Sequence, residues 1–101
     1  MASLSLISWR DIPAQVVVRR GRETAKVQLS ARFQEAVDRA AMRAGKGSSD
    51  AYLADWKRSE PRPCGEDLPA EAAAEAARIE AAFSDEALEA LIRAKGLKAQ
   101  G

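Results

Sequence analysis

The residues that could carry chemistry in this sequence are few, and their types limit the reactions open to it. Histidine, the commonest acid or base near neutral pH, is absent from all 101 residues. The single cysteine, Cys64, has no histidine to activate it and sits between a proline and a glycine, so we interpret it as an incidental surface thiol. One cysteine cannot supply the several ligands of a zinc or iron–sulfur site, unless two copies share the metal. We therefore expect no catalytic residue, no metal site and no cofactor, and we predict that the chain alone is not an enzyme.

Two further patterns resemble functional sites without completing them. The segment Gly45–Ser49 (GKGSS) lacks the full spacing of a phosphate-binding loop and follows a predicted helix instead of a strand. Glutamates recur on the outer faces of the predicted C-terminal helices, where a solvated face explains them: Glu71, Glu75, Glu80, Glu86 and Glu89.

The densest positive charge lies in the segment Arg19-Arg20-Gly21-Arg22. Three arginines at a hairpin tip can pair with nucleic-acid phosphates or with the carboxylates of a protein partner. They can also simply protect an edge hairpin from aggregation. A net charge of +1 counts against nucleic acid and gives no reason to expect membrane binding.

The N-terminal third of the sequence predicts three β-strands, over residues 4–9, 15–20 and 24–29. The evidence is a run of apolar and β-branched residues in the first two and a clean alternation in the third, with Thr24 and Lys26 on its polar side. Asp11-Ile12-Pro13 should interrupt the first two strands, because proline donates no ladder hydrogen bond. Gly21 permits the positive φ of a hairpin turn.

The rest of the sequence predicts helices. Apolar residues at helical spacing indicate a helix over Ala31–Ala44, with Ser30 as N-cap and Gly45 as its end, and with Met42 off the apolar stripe. A short helix should run from about Ser48 to Lys57, and residues 59–68 read as a linker with two prolines. Two more helices follow. They begin at Pro69 and at the N-cap Ser84, with their apolar positions and a C-cap glycine at Ala72, Ala76, Ile79, Phe83, Leu88, Leu91, Ile92 and Gly96.

These elements define the α+β class: a small antiparallel three-stranded sheet packed by an amphipathic helix, followed by a short helix and a C-terminal helical hairpin. We divide the chain into an α+β module (1–60), a linker (61–68) and an alanine-rich helical hairpin (69–101) that belongs to the same compact domain. A single cysteine, no signal-peptide pattern and no apolar run of membrane-spanning length predict a cytoplasmic protein.

Three segments resemble the small bacterial virulence-factor domain, which is also similar to the domain of conserved virulence factor C proteins. They are Ser8–Val16 (SWRDIPAQV), Ala36–Met42 (AVDRAAM) and Asp50–Trp56 (DAYLADW). The resemblance covers about residues 4–60 and does not extend to the helices after Pro69. It implies an accessory or interaction role beside cofactor-dependent enzymes, of one-carbon, corrinoid or iron–sulfur chemistry, and it supplies no catalytic residue.

We therefore predict a non-catalytic adaptor that binds a larger protein. Alternatives are a nucleic-acid-binding module that uses the basic hairpin, and a structural homodimer joined through the C-terminal helices. If Trp9 and Arg10 lie in a strand, they point to opposite faces, so Trp9 can seat in the core while Arg10 reaches a partner. The predicted partner-binding residues are Trp9, Arg10, Arg19, Arg20, Arg22 and Met42.

Overall fold

The computed structural model describes residues 2–45 and 49–97. Within them the chain forms strands and helices in the order β1 (Ser3–Trp9), β2 (Ile12–Arg20), β3 (Glu23–Gln28), α1 (Ala31–Arg43), α2 (Ser49–Ala54), β4 (Trp56–Arg58), β5 (Arg62–Pro63), α3 (Leu68–Ala82) and α4 (Asp85–Arg93). The α+β class, the antiparallel meander of the first three strands and the amphipathic helix that follows it are confirmed.

The sheet has the strand order β3-β2-β1-β4, with β5 also paired to β1, and every pairing is antiparallel. The prediction of a helix up to Lys57 is therefore wrong, because α2 ends at Ala54 and Trp56–Arg58 pairs with the free edge of β1. The predicted linker is also partly strand, since Arg62 and Pro63 continue along the same edge. Both corrections have one cause: β1 leaves backbone donors and acceptors that a later segment satisfies.

The predicted interruption before β2 is shorter than expected, because the strand begins at Ile12 and includes Pro13 instead of beginning at Gln15. The pairing between β1 and β2 shifts at this point. Ile7 lies opposite Gln15, whereas Ser8 lies opposite Pro13, so Ala14 is an extra residue in β2. A bulge of this kind interrupts the ladder locally and so accommodates a residue without a backbone N–H group.

The main core lies between one face of the sheet and the helices. Leu4, Val16 and Val18 project from this face into a single buried cluster with α1 and α3, while α4 packs against α1. The predicted helical stripes contribute these buried residues to the core: Phe33, Ala36, Val37, Ala40, Ala41, Ala72, Ala76, Ile79, Leu88, Leu91 and Ile92. Phe83, predicted in the stripe of α3, is only half-buried, and Leu68, predicted to end the linker, is buried at the start of α3. Helix packing therefore covers this side of the sheet, which we call the helix-covered face.

Of the two predicted serine N-caps, Ser84 is confirmed and Ser30 is not, and α3 begins at Leu68 instead of Pro69. Ser84 caps α4 by accepting a hydrogen bond from the Ala87 N–H group. Ser30 has the backbone conformation of an N-cap, but its hydroxyl does not cap α1. Its N–H and Oγ groups instead donate to the two carboxylate oxygens of Glu80 on α3, at 2.7 and 2.9 Å. Arg32 donates to the same carboxylate, so one acidic side chain fastens the start of α1 to α3.

We predict that Glu80 makes stability depend on pH in the acid range. Partial burial acts to raise its pKa, but hydrogen bonds from Ser30 and Arg32 outweigh burial and hold the pKa below its ordinary 4.5. The stabilisation is therefore complete above the unfolded pKa and is lost as the pH falls through the lower folded pKa. Glu80→Gln should lower the free energy of unfolding at pH 7 by about 1–2 kcal/mol.

Urea denaturation at pH 7 and at successively lower pH checks this prediction. The variant should lose its deficit relative to wild type as the wild-type carboxylate becomes protonated. Glu60→Gln, at an exposed position in the segment between β4 and β5, is the matched control and should leave the curve unchanged. An equal deficit for Glu80→Gln at every pH would show that the carboxylate charge contributes nothing.

Candidate functional site

Trp9 lies in the core and does not reach the surface. The exposed fraction of its side chain is 0%. Its indole N–H group donates to the carbonyl oxygen of Tyr52 at 2.9 Å, so the one polar atom of the ring is satisfied by the backbone of α2. The ring also stacks near that of Tyr52, with 6.1 Å between the centroids. Of the two roles considered for Trp9, core residue and partner anchor, the structure places it in the first.

Arg10 does not point away from Trp9, and the prediction of opposite faces is wrong. β1 ends at Trp9, and Arg10 occupies the left-handed region with φ of 53°, so strand alternation no longer governs its direction. Its guanidinium turns back to lie 5.0 Å from the centre of the Trp9 ring. There it pairs with Asp55 at 3.2 Å and donates to the carbonyl oxygen of Lys95 at 2.8 Å. Only 15% of the side chain is exposed.

The residues Trp9–Asp11, which we call the Trp9–Asp11 turn, connect β1 to two distant parts of the chain. The backbone N–H of Arg10 donates to the carbonyl of Asp55, and the N–H of Asp11 donates to the carbonyl of Gly96 at 2.8 Å. Gly96 is not the predicted C-cap glycine, because the C-cap of α4 is Ala94 and Lys95 takes the left-handed position after it. Gly96 follows with φ of +84° and packs directly on the Trp9 ring. The most distinctive motif of the sequence therefore holds the structure together at this turn.

The predicted hairpin arginines do not act as one group. Arg20 pairs with Glu23 at 3.0 Å, and its hydrogen bond to that carboxylate, with the charges of Glu23 and Glu66, raises its pKa. Arg22 is exposed at the tip, beside Gly21. Arg19 lies on the face of the sheet opposite the helices, since it neighbours Val18 of the core in β2.

Of the other predicted partner-binding residues, Arg10 lies far from this hairpin and Met42 lies on a helix. Arg10 precedes β2 and the hairpin follows it, and a nine-residue strand spans about 27 Å. Met42 is 73% exposed on α1, where it lines a shallow groove together with Ile92 of α4. The structure thus does not bring the predicted set together at one site, and a role for any of them in partner binding stays a prediction.

The structure brings together a different group of cations on the sheet surface opposite the helices, which we call the open sheet face. Its cations are Arg19 of β2, Lys26 of β3 and Arg58 of β4. Arg19 and Arg58 line two adjoining depressions, one of which also contains Lys26. The remaining lining comes from strands, the hairpin turn and the loop after β4: Ser3, Ser5, Ile7, Val17, Gly21, Thr24 and Pro61.

Strand register explains why these side chains share one surface. Ser3, Arg19 and Thr24 lie side by side across β1, β2 and β3. Val17 and Lys26 are opposite each other in the next row. Because successive side chains alternate between faces, residues that flank core positions of the strands project to the opposite side.

Arg19, Lys26 and Arg58 share one surface and form no ion pair, as is also the case for Arg22, Arg43, Arg93 and Lys95 elsewhere among the described residues. Within the described residues, no carboxylate oxygen lies within 4.0 Å of Arg19, Lys26 or Arg58. By contrast, seven cations of the described residues form ion pairs: Arg10, Arg20, Arg32, Arg39, Lys57, Arg62 and Arg78. Unpaired cations gathered on one surface produce a local positive potential despite the small net charge.

Sequence reasoning missed Arg58 because this residue falls between the predicted end of the short helix at Lys57 and the predicted linker, and was not assigned to a strand. Arg58 reaches the open sheet face only through its pairing with Ile7, which is 51 positions away in the chain and leaves no local pattern. Lys26 and Thr24 were visible as the polar side of an alternating strand. Ser3 and Ser5 alternate with Leu4 and Leu6 in the same way, and that alternation is the signal that could have indicated them.

Cys64 is half-buried and its thiol is not activated. Burial, and then the negative charges of Glu71 and Glu66, raise its pKa above the ordinary 9.0. The thiol is therefore protonated at neutral pH and is a weak nucleophile. Over the described ranges, no three cysteine, aspartate or glutamate residues are grouped so that they could hold a metal ion. None of the helices in the described part of the chain is long and apolar enough to span a bilayer.

The fold and its open, basic sheet face define a small α+β domain with helices on one side of an antiparallel sheet. Its sequence matches the family described as Virulence factor over residues 7–92. The chain belongs to this family, as the resemblance of its first 60 residues implied, and the match extends into α3 and α4, which that resemblance did not cover. No curated protein and no solved structure matches the chain.

We predict that the contact between Gly96 and Trp9 is essential to the fold. A Cβ atom at Gly96 would lie 2.8 Å from a carbon of the Trp9 ring, which is closer than atoms can approach. Gly96→Ala should therefore combine backbone strain with overpacking and cost about 2–5 kcal/mol.

Gly45→Ala is a matched control, because Gly45 also has a positive φ but would place its Cβ in open space. That variant should lose only the strain contribution, about 1–2 kcal/mol. Thermal and urea denaturation of both variants measure the difference. Equal destabilisation of the two would contradict the close contact with Trp9.

Proposed function

We propose that this protein is a non-catalytic accessory protein that binds an acidic surface of a larger protein through its open sheet face. The observation that carries the proposal is the group of unpaired cations Arg19, Lys26 and Arg58 on one surface. An unpaired cation at a surface gains little for the fold, whereas across an interface it attracts and orients a partner of opposite charge.

The same face has an apolar centre, which favours a specific interface over diffuse attraction. Ile7 and Val17 lie between the cations, and Val17 is buried although it is not part of the main core. A partner that covers this surface would therefore meet the half-buried Ile7 in the middle, supported from below by Val17, and charges around it. This arrangement of a less polar centre and a polar rim is typical of protein interfaces.

A protein partner is favoured over single-stranded nucleic acid by the residues that line the face. Sheets that bind single strands stack bases on exposed aromatic side chains. The described lining contains none. The aromatic residues Trp9, Tyr52 and Trp56 instead pack on one another.

The resemblance to the virulence-factor domain favours a cofactor-dependent enzyme as the larger partner. The absence of histidine from the sequence supports the non-catalytic part of the proposal, because no residue is suited to acid–base work near neutral pH. Catalysis would then reside in the partner, and the role of this chain would be to dock on it.

The partner can be identified by purifying the tagged protein from its native cell and then reconstituting the complex from the two purified chains. We expect the triple variant Arg19→Gln/Lys26→Gln/Arg58→Gln to fold normally and to weaken the complex at least tenfold, which corresponds to about 1.4 kcal/mol. Its affinity should also depend less on salt than that of wild type.

Two matched variants make the test specific. Arg43→Gln/Arg93→Gln/Lys95→Gln removes the same charge from exposed positions elsewhere and should bind like wild type. Arg20→Gln/Arg22→Gln tests the hairpin that the sequence pointed to, and should also have little effect. A loss of binding in either of these variants, with wild-type affinity in the triple variant of the open sheet face, would show that the partner uses another surface.

A further inference from the structure

One part of the open sheet face has the composition of an anion pocket. This depression, which we call the Ser3–Arg58 pocket, is lined by Ser3, Ser5, Arg19 and Arg58, with Gly21 and Pro61 completing its wall. Ser3 and Arg19 are directly opposite each other in the β1–β2 pairing. Arg58 approaches from β4, on the far side of β1. The polar groups therefore converge from three adjacent strands.

Every polar side chain that lines this pocket can donate a hydrogen bond, since arginine only donates and serine both donates and accepts. The guanidinium groups of Arg19 and Arg58 donate only, and each presents a planar fork that fits two oxygens of a phosphate. The hydroxyl of the half-buried Ser3 can donate to a third oxygen, whereas Ser5 is buried at the base of the pocket. No carboxylate is among the described residues that line the pocket. A bound group must therefore supply several acceptor oxygens and negative charge.

A phosphate monoester meets these requirements better than a carboxylate. It carries a charge of about −1.5 to −2 at neutral pH and presents three strong acceptor oxygens, whereas a carboxylate has one charge and two oxygens. Two arginines around a single carboxylate would leave one positive charge uncompensated. Two arginines around a phosphate dianion balance its charge.

The surroundings of the pocket indicate a phosphate attached to a chain and not a free ion. The basic lining continues past Arg19 to Thr24 and Lys26 in the adjoining depression. A free anion would occupy the pocket alone, whereas an extended segment can also place acidic side chains along this continuation. Neighbouring strands of a sheet are about 4.7–4.9 Å apart, so an extended peptide that crosses β2 and β3 can reach Arg19 and Lys26 in succession.

We propose that the Ser3–Arg58 pocket binds a phosphorylated serine or threonine within an acidic segment of the partner protein. This inference rests on the proposed function and adds that partner phosphorylation controls docking. Arg19 and Arg58 hold the phosphate, Ser3 orients it, and Lys26 contacts a flanking acidic residue.

The test uses three synthetic acidic peptides that are identical except at a central position, which carries phosphoserine, glutamate or serine. Binding is measured by fluorescence anisotropy with the full chain. We expect the phosphoserine peptide to bind at least tenfold more tightly than the glutamate peptide, and the serine peptide to bind most weakly. Arg19→Gln and Arg58→Gln should abolish the preference for phosphoserine, whereas Lys26→Gln should weaken the phosphoserine and glutamate peptides by the same factor.

Arg58→Lys separates the contribution of the bidentate guanidinium geometry from that of the positive charge. It keeps the positive charge but removes the bidentate geometry, so the preference for phosphoserine over glutamate should fall while binding of the glutamate peptide is retained. Circular dichroism of each variant shows that the fold is intact. The exposed position of Arg58 on the short strand β4 makes this substitution compatible with folding.

Each contrary outcome has a distinct meaning. Equal binding of the phosphoserine and glutamate peptides overturns the phosphate pocket but leaves the acidic docking surface standing. Displacement of the phosphopeptide by inorganic phosphate at concentrations near the peptide's Kd identifies a free-anion site and also overturns the proposal. Tighter binding of a ten-nucleotide single-stranded oligonucleotide than of any peptide overturns both this inference and the proposed function.

Discussion

The burial of Trp9 is the constraint on which the rest of the structure depends. Its ring occupies the place where β1, α2 and the end of α4 meet, and its N–H group must find a partner there. The carbonyl of Tyr52 provides that partner, and Gly96 provides a surface without a Cβ atom. Arg10 adopts a left-handed conformation that brings its guanidinium over the ring and onto Asp55. These contacts fix the ends of α2 and α4 against one end of the sheet.

The two faces of the sheet consequently have different electrostatic roles. Several charged side chains near the helices form ion pairs and hydrogen bonds within the fold. Glu80, for example, joins the start of α1 to α3 through Ser30 and Arg32. Charges on the open sheet face have no such internal partner among the described residues. Arg19 and Arg58 therefore cost the fold some repulsion without a compensating ion pair, and an anionic partner is the simplest source of that compensation.

Sequence patterns predicted the elements whose causes are local. The alternation of β3, the apolar stripe of α1 and the Ser84 cap each follow from neighbouring residues, and the structure confirms them. The failures have non-local causes. Trp56–Arg58 is a strand because β1 offers an edge, and Ser30 bonds Glu80 because α3 places a carboxylate beside it. Arg58 belongs to the candidate site for the same reason, so the site could be predicted only in part, through Arg19.

The contact between Arg10 and the carbonyl of Lys95 joins residues 85 positions apart, near opposite ends of the described chain. During synthesis the strands β1 to β3 emerge first and can pair locally, but the Trp9 ring gains its glycine surface only after α4 has been made. Until then the Trp9 indole lacks its contact with Gly96, and the Arg10 guanidinium lacks its hydrogen bond to Lys95. Closure of this long loop waits for Lys95 and Gly96, so a ribosome-bound fragment that lacks them leaves the Trp9 ring without its glycine surface and would be a natural substrate for chaperones.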